Sequence, residues 1–260
     1  MSERGSLIDR GFVITGGTRG LGRATVLEAL ERGAKVVFCG RPGSEDAAAE
    51  VLDAAKARDR GDAVWFVPAD VRKEEDVETL FDFAAEKLET LHALVNNAGI
   101  LKNELLISTS IEDWQEVLDT NLRSAFLTTR RAVEEFLVGG EGGRIVNVSS
   151  IVAGGAAGLA SYATSKSALL SFTRAVAKEY GRRNIACNAV VPGFLETGVT
   201  DVLSDEGRED RAKLSPHRRL GRTQEAVEAI LYLASDEASY VTGDALYVAG
   251  AVRDVPELRS

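Results

Sequence analysis

The sequence predicts a doubly wound α/β fold, in which helices cover both faces of a seven-stranded parallel sheet. Seven short apolar runs, rich in β-branched residues, alternate with longer helical patterns along the 260 residues. The runs are continuous rather than alternating, as expected for strands that are covered on both faces. The alternation continues from end to end without a linker or repeat. We therefore expect one domain over 1–260, with right-handed crossovers.

Each predicted strand is followed by a helical pattern. We expect strands at 12–15, 35–38, 63–67, 93–97, 144–149, 185–191 and 245–248. We expect helices at about 20–32, 44–59, 73–89, 111–137, 160–181 and 223–235. In the last helix, Ala226, Ile230 and Leu233 recur at helical spacing. The stretch 194–222 has little strand signal, and an insertion of this length is often functional, so we expect a substrate lid at 194–222.

The composition is acidic and that of a globular protein. The net charge of −9 argues against nucleic acid as the main partner. No apolar run approaches the length needed to span a bilayer, and residues 1–11 lack the apolar core of a signal peptide. Cys39 and Cys187 lie far apart, which suggests reduced thiols in the cytoplasm, and no cluster has metal-ligand spacing. We expect a cytoplasmic protein with no metal, membrane or nucleic-acid partner.

A glycine-rich turn, TGGTRGLG at 15–22, joins the first strand to the first helix. Its glycines permit a tight turn and a close approach of the backbone to a pyrophosphate. The helix N-terminus adds free N–H groups and a positive dipole end. A tight strand–helix connection has similar glycines, but the position after the first strand favours dinucleotide binding. The residues that we expect to contact the dinucleotide here are Gly16, Thr18, Arg19, Gly20, Leu21 and Gly22.

The end of the second strand indicates which dinucleotide is bound. Proteins that bind NAD place an acid there to accept a hydrogen bond from the ribose 2′-hydroxyl. Here Gly40 and Arg41 stand in its place, and Arg19 lies in the neighbouring turn. Two guanidiniums would pair with a 2′-phosphate. We expect NADP(H), the alternative being that both arginines are simply solvated.

Seven motifs in order resemble the short-chain dehydrogenase/reductase family. They are TGGTRGLG at 15–22, ADV at 69–71, NNAG at 96–99, TNL at 120–122, NVSS at 147–150, YATSK at 162–166 and PGFLET at 192–197. Within that family the chain is most similar to the 3-oxoacyl-(acyl-carrier-protein) reductases. The similarity is strongest in PGFLET, in AGILKNELL at 98–106 and in LASDEASYVTGDALYV at 233–248.

Tyr162 and Lys166 lie four residues apart in a predicted helix, so one turn separates them. Reduction of a ketone by hydride leaves an alkoxide that needs a proton. A phenol can supply it, and a nearby cation lowers the phenol's pKa toward neutral. We expect Tyr162 to be the general acid and Lys166 to tune it. The resemblance further implies that Lys166 holds the nicotinamide ribose and that Asn121 binds a water that links Lys166 to solvent.

The serine that orients the carbonyl is either Ser149 or Ser150. The family's usual spacing of thirteen residues before the tyrosine indicates Ser149, whereas its usual place six residues after the arginine of the strand entry, Arg144, indicates Ser150. Adjacent strand residues face opposite ways, so only one can reach the substrate. We favour Ser150.

The resemblance assigns further cofactor contacts at the ends of the strands. Asp70 and Val71 would contact the adenine, and Asn97, Ala98 and Gly99 the adenosine–ribose side. The carboxamide end would be held by Pro192, Gly193, Leu195 and Thr197.

The sequence departs from the carrier-protein reductases in two places. Glu141 stands where a basic carrier-docking residue is expected, although Arg182 and Arg183 remain basic. Ala251 replaces a glycine of a C-terminal pair in a region that commonly packs in the family's homotetramer. The resemblance implies such a homotetramer here. His92 has no expected role, and His217 could touch the substrate from the lid.

Three functions compete at this point. The first is NADPH-dependent reduction of a 3-oxoacyl thioester, free or bound to a carrier protein, in fatty-acid or polyketide assembly. The second is reduction or oxidation of a small free ketone or secondary alcohol. The third is a non-catalytic sensor of NADP(H), which the intact set of Asn121, Ser150, Tyr162 and Lys166 argues against because a sensor needs no proton relay.

Overall fold

The computed structural model describes residues 7–197 and 204–253, and one parallel sheet passes through it. The strand order is β3-β2-β1-β4-β5-β6-β7, and every neighbouring pair is parallel. The strands are β1 Gly11–Thr15, β2 Lys35–Gly40, β3 Val64–Pro68, β4 Leu91–Asn96, β5 Gly143–Val148, β6 Ile185–Pro192 and β7 Ala245–Val248. The predicted fold class is confirmed.

Helices cover both faces of the sheet. They are α1 Gly20–Glu31, α2 Glu45–Lys56, α3 Glu74–Lys87, α4 Ile111–Leu118, α5 Ser124–Gly139, α6 Ala160–Tyr180, α7 Asp205–Leu214 and α8 Thr223–Leu233. The core on one face includes α1, α2 and α8, and the core on the other includes α3, α5 and α6. No helix in the described ranges is long and apolar enough to cross a membrane.

Successive strand residues point to opposite cores, which explains the continuous apolar runs. In β1, Phe12 and Ile14 belong to the core beside α1, while Val13 between them belongs to the core beside α3. All three are fully buried. Because both faces are covered, a polar side chain at any of these positions would lose its hydration whichever face it pointed to.

Two features differ from the predicted elements. The helix expected at 111–137 is interrupted by a π-helical segment, Asp119–Arg123, between α4 and α5. The predicted lid contains a helix, α7, whose N-cap Ser204 accepts a hydrogen bond from Gly207 N at 3.1 Å. Residues 198–203 of that lid lie outside the described residues, so a lid at 194–222 stays a prediction.

A buried polar network joins the carboxyl end of β4 to its neighbour. Asn96 and Asn147 are paired in register, and Asn96 Nδ2 donates to Asn147 Oδ1 at 2.9 Å. Thr128 and Thr129 of α5 bond the Asn96 amide, and Thr173 of α6 accepts from Asn147. The network thus ties two helices and two strands together just below the edge where the predicted site residues lie.

Candidate active site

The glycine-rich turn after β1 is shaped for close backbone approach. Gly16 and Gly20 have φ of +65° and +53°, a region that favours glycine. A Cβ on Gly22 would lie 2.1 Å from the Gly16 carbonyl oxygen, whereas a Cβ on Gly20 would meet nothing within 4 Å. Gly22 therefore packs the helix against the turn, and Gly20 leaves the outer side of the turn open. This is the form that the N-terminus of α1 needs to receive a pyrophosphate.

Thr15 and Asn97 hold this turn against the end of β4. Thr15 Oγ1 accepts from Asn97 N at 3.1 Å and from Ala98 N at 3.0 Å. Asn97 Nδ2 in turn donates to the carbonyls of Thr15 and Gly16, both at 3.0 Å. The predicted cofactor residues Asn97 and Ala98 therefore fix the position of the turn.

The ribose end of the cleft is basic, as expected from the sequence. Arg19 and Arg41 are exposed, and among the described residues neither has an ion-pair partner. Thr18 is buried below them, and a Cβ on Gly40 would lie 2.6 Å from Thr18 Cγ2. No carboxylate follows β2 directly. These residues fit a nicotinamide dinucleotide with a 2′-phosphate.

Asp70 is placed at the end of β3, but its carboxylate is already engaged. Arg72 donates to it from Nε at 2.8 Å and from Nη2 at 2.6 Å. The hydrogen bond from Arg72 is the largest cause that lowers the pKa of this carboxyl, against the effect of its burial. The Asp70 backbone is engaged too, since its N–H donates to Asp76 Oδ2 at 2.8 Å and its carbonyl accepts from Lys73 N at 2.8 Å. The adenine contact expected of Asp70 and of the buried Val71 stays a prediction.

Tyr162 and Lys166 face the end of β5 from one side of α6. Lys166 Nζ lies 5.7 Å from the centre of the Tyr162 ring and donates to the Val148 carbonyl at 2.8 Å. Gly99 lies against the same amine, since a Cβ on Gly99 would lie 3.4 Å from Lys166 Nζ and 3.2 Å from Asn121 Oδ1. The structure thus brings together the end of β4, the lysine and Asn121.

The two serines after β5 have different partners. Ser149 is buried, and its hydroxyl donates to the Lys166 carbonyl of α6 at 2.8 Å. Ser150 Oγ accepts from Val152 N at 3.2 Å and is hydrogen-bonded to the Tyr162 phenol. Only Ser150 therefore lies beside the phenol.

Burial dominates the protonation of Tyr162 and Lys166. It raises the pKa of the Tyr162 phenol, and the hydrogen bond with Ser150 opposes that rise. Burial also lowers the pKa of Lys166 to about 8. The sequence predicted that Lys166 would lower the phenol's pKa, but the net shift is upward, because the loss of water outweighs the opposing hydrogen bond with Ser150. A phenol with a raised pKa keeps its proton at neutral pH.

Asn121 lies in the π-helical segment, and its side-chain amide makes three hydrogen bonds. Its Oδ1 accepts from Ile100 N at 2.8 Å, and its Nδ2 donates to Ile100 O and to Ser165 Oγ, both at 3.0 Å. The side-chain amide thus joins the end of β4 to α6. The water expected at Asn121 stays a prediction.

The segment after β6 is held over the same edge of the sheet. Gly193 N donates to Val248 O at 3.0 Å, and a Cβ on Gly193 would lie 2.8 Å from Ala249 Cα. Leu195 is buried and forms a parallel bridge with Gly221. Pro192, which ends β6, is buried, and Thr197 N donates to the Leu195 carbonyl at 2.9 Å. Of the four predicted carboxamide residues, Pro192 thus ends β6 and the other three follow it closely.

A cavity of about 280 Å³ lies next to this segment, between the end of β7 and the stretch 211–221. His217, which the sequence associated with the substrate, lines it together with Arg211 and Tyr247. Neither Arg211 nor Tyr247 was identified as a site residue from the sequence, because Arg211 belongs to no motif and Tyr247 was read only as part of a strand. By contrast, His92 lies in β4, where its Nδ1 accepts from Gly11 N at 2.9 Å, a structural role.

The positions expected to dock a carrier protein lie at the amino-terminal ends of the strands, opposite the ends that carry the predicted site. Glu141 comes just before β5, and Arg182 and Arg183 come just before β6. Both strands point away from them toward Ser150. The eight residues of β6 span about 26 Å at ~3.3 Å per residue.

The fold and this cluster define an oxidoreductase that acts on CH–OH or C=O groups with a nicotinamide cofactor. A family model described as "Enoyl-(Acyl carrier protein) reductase" matches residues 16–252. The chain belongs to the short-chain dehydrogenase/reductase family.

Among its relatives are several 3-oxoacyl-(acyl-carrier-protein) reductases. Those of Aquifex aeolicus and Escherichia coli K12 are each 36% identical over 92% of this chain and 96% of the relative. Nodulation protein G of a Rhizobium species is 36% identical over 95% of this chain and 98% of its own length. A crystal structure provisionally assigned as a gluconate dehydrogenase of Agrobacterium tumefaciens is 32% identical, with a TM-score of 0.89 over 96% of this chain and 98% of that one.

The lowered pKa of Lys166 predicts a stability cost. The ammonium's pKa falls from 10.5 to about 8, so burying the charge costs roughly 3 kcal/mol at pH 7. Lys166→Met keeps the volume and removes the charge. We expect its free energy of unfolding at pH 7, measured by urea unfolding, to exceed that of the wild type by about 2 kcal/mol. This figure allows for the lost hydrogen bond to Val148.

The pH dependence tests the cause. Between pH 8 and 10.5, Lys166 binds more protons in the unfolded wild type than in the folded wild type. The free energy of unfolding of the wild type therefore increases as the pH rises through this range. The difference between Lys166→Met and the wild type should therefore shrink from pH 7 to pH 10. A difference that stays constant, or a variant less stable at pH 7, would contradict the assignment.

Proposed function

We propose that the protein is an NADPH-dependent ketoreductase that reduces a 3-oxoacyl thioester to the 3-hydroxyacyl product. The observation that carries the proposal is the meeting of Ser150, Tyr162 and Lys166 beside the glycine-rich turn and Gly99. The relatives named as 3-oxoacyl-(acyl-carrier-protein) reductases support the substrate class.

The residues divide the chemistry between them. When bound, the nicotinamide supplies the hydride that adds to the carbonyl carbon. Ser150 donates a hydrogen bond to the carbonyl oxygen, and Tyr162 transfers its phenolic proton to that oxygen as negative charge develops. The phenolate left on Tyr162 is stabilised by the Lys166 ammonium. Asn121 positions Ser165 and the Ile100 backbone so that the lysine stays beside Gly99.

The preference for NADPH rests on Arg19 and Arg41. Both guanidiniums are exposed at the ribose end, and neither is neutralised by a carboxylate in the described ranges. A 2′-phosphate would thus find two charge-assisted partners. NADH would bring a hydroxyl with no acidic acceptor at the end of β2.

The position of Arg182 and Arg183 bears on whether the substrate is carrier-bound. A carrier protein docked on them would lie at the amino-terminal end of β6. It would be separated from Ser150 by about the length of that strand. This observation, with the similarity to the structure assigned as a gluconate dehydrogenase, favours a second candidate: reduction or oxidation of a small free ketone or alcohol. The site residues would be the same in both.

Self-association is part of the proposal. Four apolar side chains are exposed over a short stretch: Leu105, Leu106, Ile107 and Ile111. Ile107 is 94% exposed, and the neighbouring α5 exposes Phe126. An apolar surface of this kind is typical of a protein–protein contact. We therefore propose that this surface is one subunit contact of a homotetramer.

The central experiment measures NADPH oxidation with an acetoacetyl thioester, presented free and on an acyl-carrier protein. We expect turnover with NADPH by the wild type. Tyr162→Phe removes the proton donor but keeps the ring, so kcat should fall at least ~100-fold while NADPH affinity is nearly kept.

Each result has a clear meaning. A higher kcat/KM on the carrier would establish a carrier-protein reductase. NADPH binding without thioester reduction would favour the small-ketone candidate if small ketones are turned over, and the sensor if they are not. Retention of most activity by Tyr162→Phe would reject the proposed general acid.

The two serines allow a matched comparison. Ser150→Ala removes the hydroxyl beside the Tyr162 phenol, so kcat should fall about 100-fold. Ser149→Ala removes a buried bond to the Lys166 carbonyl, so it should cost about 1 kcal/mol of stability and little turnover. Steady-state kinetics and urea unfolding of both variants test this, and the reverse ranking would transfer the role to Ser149.

Cofactor choice is tested at the end of β2. Arg41→Asp removes a phosphate partner and supplies an acceptor for the ribose hydroxyl, so the ratio of kcat/KM for NADPH to that for NADH should fall at least ~10-fold. Lys56→Asp on the exposed end of α2 makes the same charge change away from the turn and is the control. An unchanged ratio in Arg41→Asp would mean that Arg41 does not read the phosphate.

A further inference from the structure

The cavity between β7 and the stretch 211–221 opens at the edge of the sheet that carries the active site. Phe194 lies two residues after β6, and Tyr247 and Val248 end β7. Phe194 and Tyr247 share one apolar cluster with Tyr162 and Ile151. The cavity is therefore next to the reacting end of the substrate site. Its volume of about 280 Å³ fits one end of a substrate rather than a whole cofactor.

The wall formed by the stretch 211–221 is basic. It contains four lysines and arginines and no acid, in a chain whose net charge is −9. Lys213 points elsewhere, since it pairs with Glu209 and Asp210. Arg211, His217 and Arg219 all line the cavity.

One carboxylate lines the cavity as well, and it is neutralised. Glu225 accepts two bonds from Arg219, at 2.7 and 2.8 Å, and lies 3.4 Å from Arg222. The bonds from Arg219 and from the Arg222 backbone lower the pKa of this carboxyl to about 2. Two cations thus share one anion, so Glu225 does not cancel the charge of Arg211.

Arg211 is the cation without a counter-charge. Its guanidinium lies 5.5 Å from the centre of the Phe194 ring, and its Nη1 donates to the Gly207 carbonyl of its own helix at 2.9 Å. No carboxylate of the described residues lies within ion-pair distance of it. The aromatic ring holds one side of the guanidinium and leaves its remaining N–H groups for a ligand.

We propose that this cavity binds an anionic group of the substrate, a carboxylate or a phosphate, with Arg211 as its main partner. The inference rests on the proposed ketone reduction at Tyr162 and narrows its substrate class. The anionic group could belong to either of two kinds of substrate. It is the carboxylate of a small oxo acid, or the phosphate of a pantetheine arm that carries a thioester.

Two pairs of substrates, each differing by one charged group, distinguish the sources. The first pair is 4-oxopentanoate and its methyl ester. The second is acetoacetyl-4′-phosphopantetheine and acetoacetyl-pantetheine. We expect the wild type to prefer the charged member of one pair by about 10-fold in KM, the effect of one charge-assisted hydrogen bond. A preference in the first pair identifies the carboxylate, and one in the second identifies the phosphate.

Arg211→Gln tests the residue, with Lys213→Gln as the matched control on the same helix. Arg211→Gln should bring the ratio of KM values within the preferred pair close to one. Lys213→Gln should leave that ratio unchanged, because its ammonium is paired outside the cavity. The proposal is overturned if the wild type shows no preference in either pair, or if Arg211→Gln raises KM equally for charged and neutral members.

A binding measurement separates this proposal from the proposed function. Calorimetric titration of 4-oxopentanoate and of phosphopantetheine into the NADP⁺-saturated protein needs no turnover. Weaker binding of either anion to Arg211→Gln than to Lys213→Gln supports the anion site even if no thioester is reduced. Thioester reduction without any effect of Arg211 on anion binding rejects the anion site and keeps the ketoreductase.

Discussion

The hydrogen bonds between Thr15 and Asn97 are the constraint on which the site depends. They join the carboxyl ends of β1 and β4, so the glycine-rich turn and the residues after β4 form one rigid unit. That unit places Gly99 against Lys166. Two short side chains bonded to the backbone thereby set the separation between the glycine-rich turn and Gly99. Such preorganisation reduces the ordering that binding would otherwise require.

Tyr162 and Lys166, the proposed reacting groups, lie in an environment that opposes their charged forms. Lys166 is nearly inaccessible to water and donates to a single backbone carbonyl. The same dry surroundings strengthen any interaction between its ammonium and a developing phenolate. Burial of Lys166 therefore lowers the stability of the fold but strengthens the attraction between its ammonium and a Tyr162 phenolate. Such a trade-off is common at functional sites. The apolar cores on both faces of the sheet supply the stability that makes this cost tolerable.

The sequence predicted most of the fold because both faces of the sheet are covered. Continuous β-branched runs mark such strands, and their alternation with helices predicted a doubly wound parallel sheet. The spatial order of the seven strands is known only from the structure. The site was predictable where a motif has a fixed spacing, as for Tyr162 and Lys166. It was ambiguous at Ser149 and Ser150, because one residue of register decides which hydroxyl faces the phenol. Arg211 and Tyr247 could not be found, since their proximity arises only when α7 packs near the end of β7.

The two cysteines give the sheet a pair of internal reporters. Cys39 lies in β2 and Cys187 in β6, on opposite sides of the central strands and each one strand from an edge. Burial raises the pKa of both thiols to about 12, so almost no reactive thiolate exists in the folded protein at neutral pH. Each thiol becomes available to an alkylating reagent only when its own half of the sheet opens. The rates at which the two thiols are modified therefore compare local opening of the sheet around β2 with local opening around β6, without any added label.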